Sequence, residues 1–465
     1  MEMNGLMTIA ETAGLIKNKQ LSPVELFNYF MMRIEKYESK LNTFITVTAE
    51  AGKMLAKQAE EEIMAGNYKG ALHGIPISLK DIIAYTESPM TNGSRIDPDY
   101  TPLFNATVTD KLLDAGAVIM GKAHLNEYAF RAPHPHYGWT RNPWDLERIP
   151  GGSSSGSGSA VQAALVLASI GTDTGGSIRN PASYCGVVGL KPTYGLVSRH
   201  GVSPLSWTLD HIGPLTRTCE DAAILLQVMA GYDQKDDSSH NGPDWDMQSF
   251  TKSESLKGKK IGVPTTYFYD NIAPEVEASV RQALKMMEEM GAKIIPVEIE
   301  SIEELVDANR IILNSEAYAF HHRNLQEQPA GYGPKLRLAF ELGQYIPAEA
   351  YVHSQRLRTR MRDQFNGIFE EVDVLVTPTT PTVAKLIQQF ENDPAFIVQS
   401  MTSTANFLGL PALSIPCGFS SDGLPIGMQL MGRPFGEGEI LSIGHCFEQH
   451  ASLYKKLPNE EIWVA

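Results

Sequence analysis

The chain has 465 residues, of which 43% are hydrophobic and 20% charged. That is enough apolar material for a large core, and it excludes a disordered tract or a small disulfide scaffold. With 39 Lys and Arg against 54 Asp and Glu the net charge is −15, which argues against a broad nucleic-acid or anionic-membrane footprint.

The opening residues show no basic-then-apolar run, and no apolar stretch of about 18 residues follows. The expected location is therefore cytoplasmic, with no membrane partner. Cys185, Cys219, Cys417 and Cys446 are far apart with no C-x-x-C pair, the pattern of buried thiols in a reducing compartment. Over residues 22–38, Ser22 is a candidate cap, Pro23 suits the first helical position and Glu25 can close a capping box. Leu26, Phe27, Phe30, Ile34 and Tyr37 then recur at helical spacing. From residue 71 onward, short apolar runs alternate with Gly, Pro and helical stretches: Ile75–Leu79, Ala117–Met120, Val166–Ile170, Ile261–Val263, Lys293–Val297, Asp373–Val376 and Ile426–Leu430. This alternation predicts an α/β protein with a central, mostly buried sheet flanked by helices. The polar stretch Gly231–Lys260 reads as an excursion within one domain, because strand-like runs continue after it. The expected organisation is one domain over 1–465: N-terminal helices to about 65, a catalytic core over about 66–230, the excursion over about 231–260, and a C-terminal part over 261–465.

Residues Gly151–Ser159 read GGSSSGSGS. A linker has this composition, but Ala160–Ala168 follows at once as an apolar run suited to a buried helix, so close backbone approach is the better reading. No Lys-Ser/Thr pair completes a phosphate loop here. Gly152–Gly156 matches G-x-S-x-G, which would make Ser154 the nucleophile of an α/β-hydrolase elbow; that motif needs a preceding strand, and residues 142–150 look like a loop. Downstream, Gly171–Arg179 reads GTDTGGSIR; two glycines before a serine suit a tight turn whose backbone N–H groups can hold an oxyanion, although the residues alone favour an ordinary strand-to-helix turn.

The sequence is similar to the amidase signature family of serine hydrolases over nearly its whole length. The resemblance is carried by Gly74–Asp81 (GIPISLKD), Pro150–Ser154 (PGGSS), Gly171–Arg179, Cys185–Thr193 (CGVVGLKPT), Gly409–Ala412 (GLPA) and Gly423–Gly427 (GLPIG). It implies the amidase signature fold, Ser177 as nucleophile, Ser153 as bridging serine after a cis peptide bond, and Lys80 as final base. Backbone N–H groups of Thr174, Gly175, Gly176 and Ser177 would form the oxyanion hole, with Ser154 supporting the bridge. Independently of the family, a serine needs a base to become nucleophilic, and a buried lysine can serve once desolvation lowers its pKa. Lys80 follows an apolar run, as a lysine at the inner end of a strand would.

The resemblance implies neither metal nor organic cofactor. Asp173 and Arg179 beside the nucleophile read as a structural ion pair. Tyr128, Phe130 and Trp207 fall where family members line the acyl pocket. Two substrates compete. One is a small carboxamide cleaved by a free-standing amidase, possible homodimer included. The other is glutamine, cleaved by the A subunit of glutamyl-tRNA(Gln) amidotransferase, the one case in which nucleic acid would be involved. Arg358 aligns with an arginine that this subunit uses for glutamine, whereas Gln399 stands where it has an acid. On that departure the free-standing reading is preferred here.

Overall fold

In a computed structural model, residues 6–243, 250, 255–392 and 400–464 are described. Part of the polar excursion (244–249 and 251–254) and Gln399 lie outside them. Among the described residues eleven strands form one mixed sheet: β1 (Phe44–Val47), β2 (Pro76–Lys80), β3 (Val118–Ala123), β4 (Ala168–Asp173), β5 (Val188–Lys191), β6 (His211–Thr216), β7 (Lys260–Pro264), β8 (Lys293–Val297), β9 (Val374–Pro378), β10 (Ala412–Phe419) and β11 (Pro425–Gly432). Their order is β1-β3-β2-β4-β6-β5-β10-β11-β9-β7-β8.

The strands β3, β2 and β4 run parallel, as do β9, β7 and β8, while the pairings between these groups are antiparallel. Every residue of β2, β3 and β4 is buried, because parallel strands joined through helical crossovers are covered on both faces. β5 pairs with β10, and β11 with β9. The sheet therefore runs without a break from the N-terminal to the C-terminal half, making one large α/β domain.

The helix anticipated from residue 22 spans Pro23–Leu41. Ser22 Oγ accepts from the Val24 and Glu25 N–H groups, and the Glu25 carboxylate accepts from Ser22 N–H. The Gly/Ser tract departs from expectation. The helix there is Ser155–Gln162, and β4 begins at Ala168, so the apolar run Ala160–Ala168 is not one helix. Close packing explains the early start: a Cβ on Gly156 would sit 2.2 Å from the Thr43 carbonyl and 2.5 Å from the His124 nitrogen. Small residues let this helix press against the β1 and β3 ends.

Between β8 and β9 three helices, Ile302–Glu327, Pro334–Leu342 and Ala348–Glu371, form a cover packed through the stacked rings of His321 and Phe340, 4.3 Å apart. No helix among the described residues is long and apolar enough to cross a membrane.

One buried ion pair secures the strand ends nearest the GIPISLKD run. Lys122 Nζ on β3 lies 3.0 Å from Asp81 Oδ1, and neither side chain is exposed. Asp81 Oδ2 also accepts from the Thr91 N–H and hydroxyl. Replacing one partner strands the other charge in the interior. Lys122→Met is expected to destabilise the protein by about 3–5 kcal/mol, and the double change with Asp81→Asn to recover part of that loss in urea unfolding.

Candidate active site

β2 and β4 lie side by side, with Leu79 opposite Ile170, so Lys80 arrives beside Thr172. Lys80 Nζ donates to Ser153 Oγ and to Thr172 Oγ1, each at 2.8 Å. It is wholly buried. Ser153 sits at the entrance of the helix Ser155–Gln162, after a cis Gly152–Ser153 peptide bond. Burial drives the Lys80 pKa down to about 7, while the charges of Asp173 and Asp210 pull it upward. An amine with such a pKa is part neutral at physiological pH and able to take a proton.

Ser177 lies in the turn joining β4 to the helix Arg179–Cys185. It is half-buried and shares with Ser153 a cavity of about 240 Å³. The two hydroxyls are not hydrogen-bonded to one another among the described residues. The turn is built on Asp173, whose carboxylate accepts from the N–H groups of Gly176 (2.7 Å), Ile178 (3.1 Å) and Arg179 (3.4 Å). The same carboxylate meets Arg179 Nε at 3.0 Å and Nη2 at 2.9 Å, and Asn406 Nδ2 at 2.9 Å. Burial opposes its charge, yet Arg179 holds it well below the usual carboxylate range.

This network changes the expected oxyanion hole. The Gly176 N–H is committed to Asp173, so it is not a free donor. Those of Thr174, Gly175 and Ser177 have no protein acceptor outside the strand ladder among the described residues, and all three residues line a second lobe of about 190 Å³ that also reaches Ser177.

Ser154 is buried rather than presented to the cavity. Its hydroxyl donates to the Thr172 carbonyl (3.2 Å) and accepts from the Thr172 N–H (3.3 Å), and its N–H donates to the Ser177 carbonyl. No strand precedes it, so the geometry of a hydrolase elbow is absent there. Phe130 borders both lobes.

Three other residues lie elsewhere. Tyr128, at φ 45°, turns its ring into a buried cluster, edge-on to His321 at 4.5 Å. Trp207 is 46% exposed and borders a different cavity, next to Asp210. Arg358 is buried over the Phe407 ring at 5.2 Å and lines neither lobe, because its position on the long helix Ala348–Glu371 turns it toward the helix Ser403–Leu408. Thr172 belongs to the Gly171–Arg179 run, and its place one residue before Asp173, on a strand beside β2, is the signal in the sequence that points to it.

The Amidase family model matches residues 25–441. The chain belongs to that family. Its chemistry is the hydrolysis of amide carbon–nitrogen bonds. The chain is 40% identical to the A subunit of the glutamyl-tRNA(Gln) amidotransferase of Microcystis aeruginosa over 481 residues, covering 98% of this chain and 99% of the relative. Among solved structures it is similar to the same subunit from Thermotoga maritima (TM-score 0.81, 34% identity, 97% and 96% of the two chains). It is also similar to the peptide amidase of Stenotrophomonas maltophilia (TM-score 0.84, 29% identity, 96% and 97%). These relatives reverse the order set from sequence, favouring the amidotransferase reading over the free-standing amidase.

A base with a lowered pKa works only when deprotonated. The kcat/KM for an amide is expected to rise with pH through an apparent pKa of about 7. Thr172→Val removes an acceptor from the charged amine and so moves this limb to lower pH; a pH–rate profile of both proteins checks the shift.

Proposed function

We propose that the chain cleaves an amide through an acyl-enzyme on Ser177. The carrying observation is the 2.8 Å contact from Lys80 Nζ to Ser153 Oγ, on the cavity that also holds Ser177. Ser177 Oγ attacks the amide carbonyl, and its proton passes through the Ser153 hydroxyl to Lys80. The serine hydroxyls close up when substrate binds, as catalytic contacts often do. Free N–H groups at Thr174, Gly175 and Ser177 would receive the oxyanion. The proton then returns to the leaving nitrogen, ammonia or amine departs, and water cleaves the ester by the same relay.

For the acyl group, full-length similarity to amidotransferase A subunits supports a glutaminase that hands ammonia to partner subunits. The free-standing amidase is retained as a second reading because of Arg358. The arginine matched to glutamine binding lies outside both lobes.

Two assays separate these readings. Ammonia release from glutamine, stimulated by the B and C subunits of a glutamyl-tRNA(Gln) amidotransferase, is expected for the glutaminase. Turnover of simple amides by the chain alone, with none from glutamine, would favour the second reading. In either case Ser177→Ala is expected to lose at least about a thousandfold in kcat, and a small fluorophosphonate to label Ser177. Label on Ser154 would overturn the relay.

A further inference from the structure

The cavity around Ser177 is positive in a protein whose net charge is −15. Its two lobes share Ala129, Phe130, Ser177 and Ser400, so they meet at the nucleophile. Among the described lining residues the charged side chains are Arg131 and Lys385 in one lobe and Arg310 in the other; no Asp or Glu is present. A cavity with no acidic side chain among its described lining residues, inside an acidic protein, is a selective feature, because a random sample of this surface would contain more carboxylates than cations.

Neither arginine is consumed by the fold. Arg131 has no carboxylate partner among the described residues, and its guanidinium carbon lies over the Phe130 ring at 5.0 Å. Among the described residues the one ion pair of Arg310 is with Asp307, at 3.2 Å and one turn away on the same helix, with that carboxylate 71% exposed. Such an exposed pair contributes little and is readily exchanged. The two guanidiniums are near enough to repel: burial and then the Arg310 charge lower the pKa of Arg131. Like charges held together without an intervening anion are unfavourable, and a bound anion relieves them.

The backbone is also shaped to hold Arg131. Tyr128, Ala129 and Arg131 all have left-handed φ values of 45°, 59° and 59°. Asn126 Nδ2 donates to the Arg131 carbonyl at 2.7 Å, and the Glu127 N–H donates to the Ala132 carbonyl at 3.1 Å. Strained non-glycine conformations of this kind persist where the surroundings impose them. Beside Arg310, Asn309 is 4% exposed, and its Oδ1 has no partner among the described residues. A buried amide without a partner at the wall of a lobe suits a polar ligand group.

We infer that the substrate is an amide whose acyl chain ends in a carboxylate, and that Arg131 and Arg310 receive that carboxylate while Ser177 attacks the amide. The inference rests on the Ser177 reading above and specifies its acyl group. Glutamine belongs to this class, as do monoamides of dicarboxylic acids that lack an amino group.

The test uses the purified full chain with two substrates of equal length, glutaramate and the neutral pentanamide. Glutaramate is expected to have at least a tenfold higher kcat/KM, carried mainly by KM, and the advantage to shrink with added salt. Arg131→Gln and Arg310→Gln are each expected to cut the glutaramate-to-pentanamide ratio about tenfold, whereas Arg131→Lys retains part of it. Equal rates on the two amides, or ratios unmoved in both glutamine variants, would overturn the proposal. A binding measurement keeps it separate from the catalytic reading. Glutarate is expected to bind Ser177→Ala calorimetrically and to bind at least tenfold more weakly once Arg131→Gln is added. Binding without turnover of any amide would sink the Ser177 mechanism and leave the carboxylate site standing; absence of glutarate binding would remove the site.

Discussion

The site depends on one buried carboxylate. Asp173 ends β4 and gathers six donors: three backbone N–H groups of the following turn, two nitrogens of Arg179 and the amide of Asn406. The residues that follow, Gly175 and Gly176, have little conformational preference of their own; besides Asp173, the Thr402 hydroxyl on the Gly175 carbonyl and the Ser154 N–H on the Ser177 carbonyl tie the turn down. Arg179 extends the constraint outward. Its Nη1 donates to the Thr402 carbonyl and to Gln429 Oε1, and its Nη2 to Asn406 Oδ1. One guanidinium thus fastens the turn that carries Ser177 to β11 and to the helix Ser403–Leu408, which come from the other end of the chain. A buried pair of this sort stabilises little relative to apolar packing, and its value lies in fixing one arrangement.

Three buried lysines in the same sheet show how neighbours decide what a cation does. Lys122 faces Asp81 at 3.0 Å, so its charge is matched. Lys191 is capped by the carbonyls of Pro192 and Leu410, at 2.9 and 2.5 Å. Lys80 meets only hydroxyls, which stabilise an ammonium less than a carboxylate does. Burial lowers the pKa of all three lysines, that of Lys80 to about 7. The nearest carboxylates, Asp173 and Asp210, act on it through space only, because Asp173 is saturated by Arg179 and Asp210 accepts from Thr174 Oγ1 at 2.6 Å and from the Leu205 and Ser206 N–H groups. What sets Lys80 apart from the other two is its contact with Ser153, which lines the cavity that also holds Ser177.

Most of the scaffold is legible in the sequence because its signals are local. Short apolar runs mark seven of the strands to within a few residues, and the Ser22 box marks a helix start. Lys80, Ser153 and Ser177 are readable because each sits in a distinct motif. What escapes is side-chain direction. Tyr128 occupies a pocket-like position in the order of motifs, yet its left-handed backbone swings the ring toward His321. Arg358 lies on a helix of 24 residues, where a rotation of one position changes the face presented. Gly176 looks like an oxyanion donor because its motif places it in the turn, and only the three-dimensional reach of Asp173 removes its N–H from use. Thr172 lies in the Gly171–Arg179 run, but strand pairing alone brings it to Lys80, and Arg131 and Arg310 carry no motif at all; all three matter through the elements that the fold brings beside Lys80 and Ser177.

The division between a fixed relay and a variable mouth follows from where these groups reside. Lys80, Thr172 and Ser153 are on or next to fully buried strands and a buried helix, where a one-methylene change is felt throughout the packing. Arg131 stands on a loop, and Arg310 on the cover helix Ile302–Glu327, both open to solvent on one side. On the proposed mechanism, changes there would alter which acyl group is accepted without disturbing the contact between Lys80 and Ser153, as binding residues on loops generally permit. The net charge of −15 does not prevent anion recognition at this mouth. At physiological ionic strength a field is screened over about 8 Å, so a carboxylate at the lobe experiences two nearby guanidiniums far more strongly than the distant acidic surface.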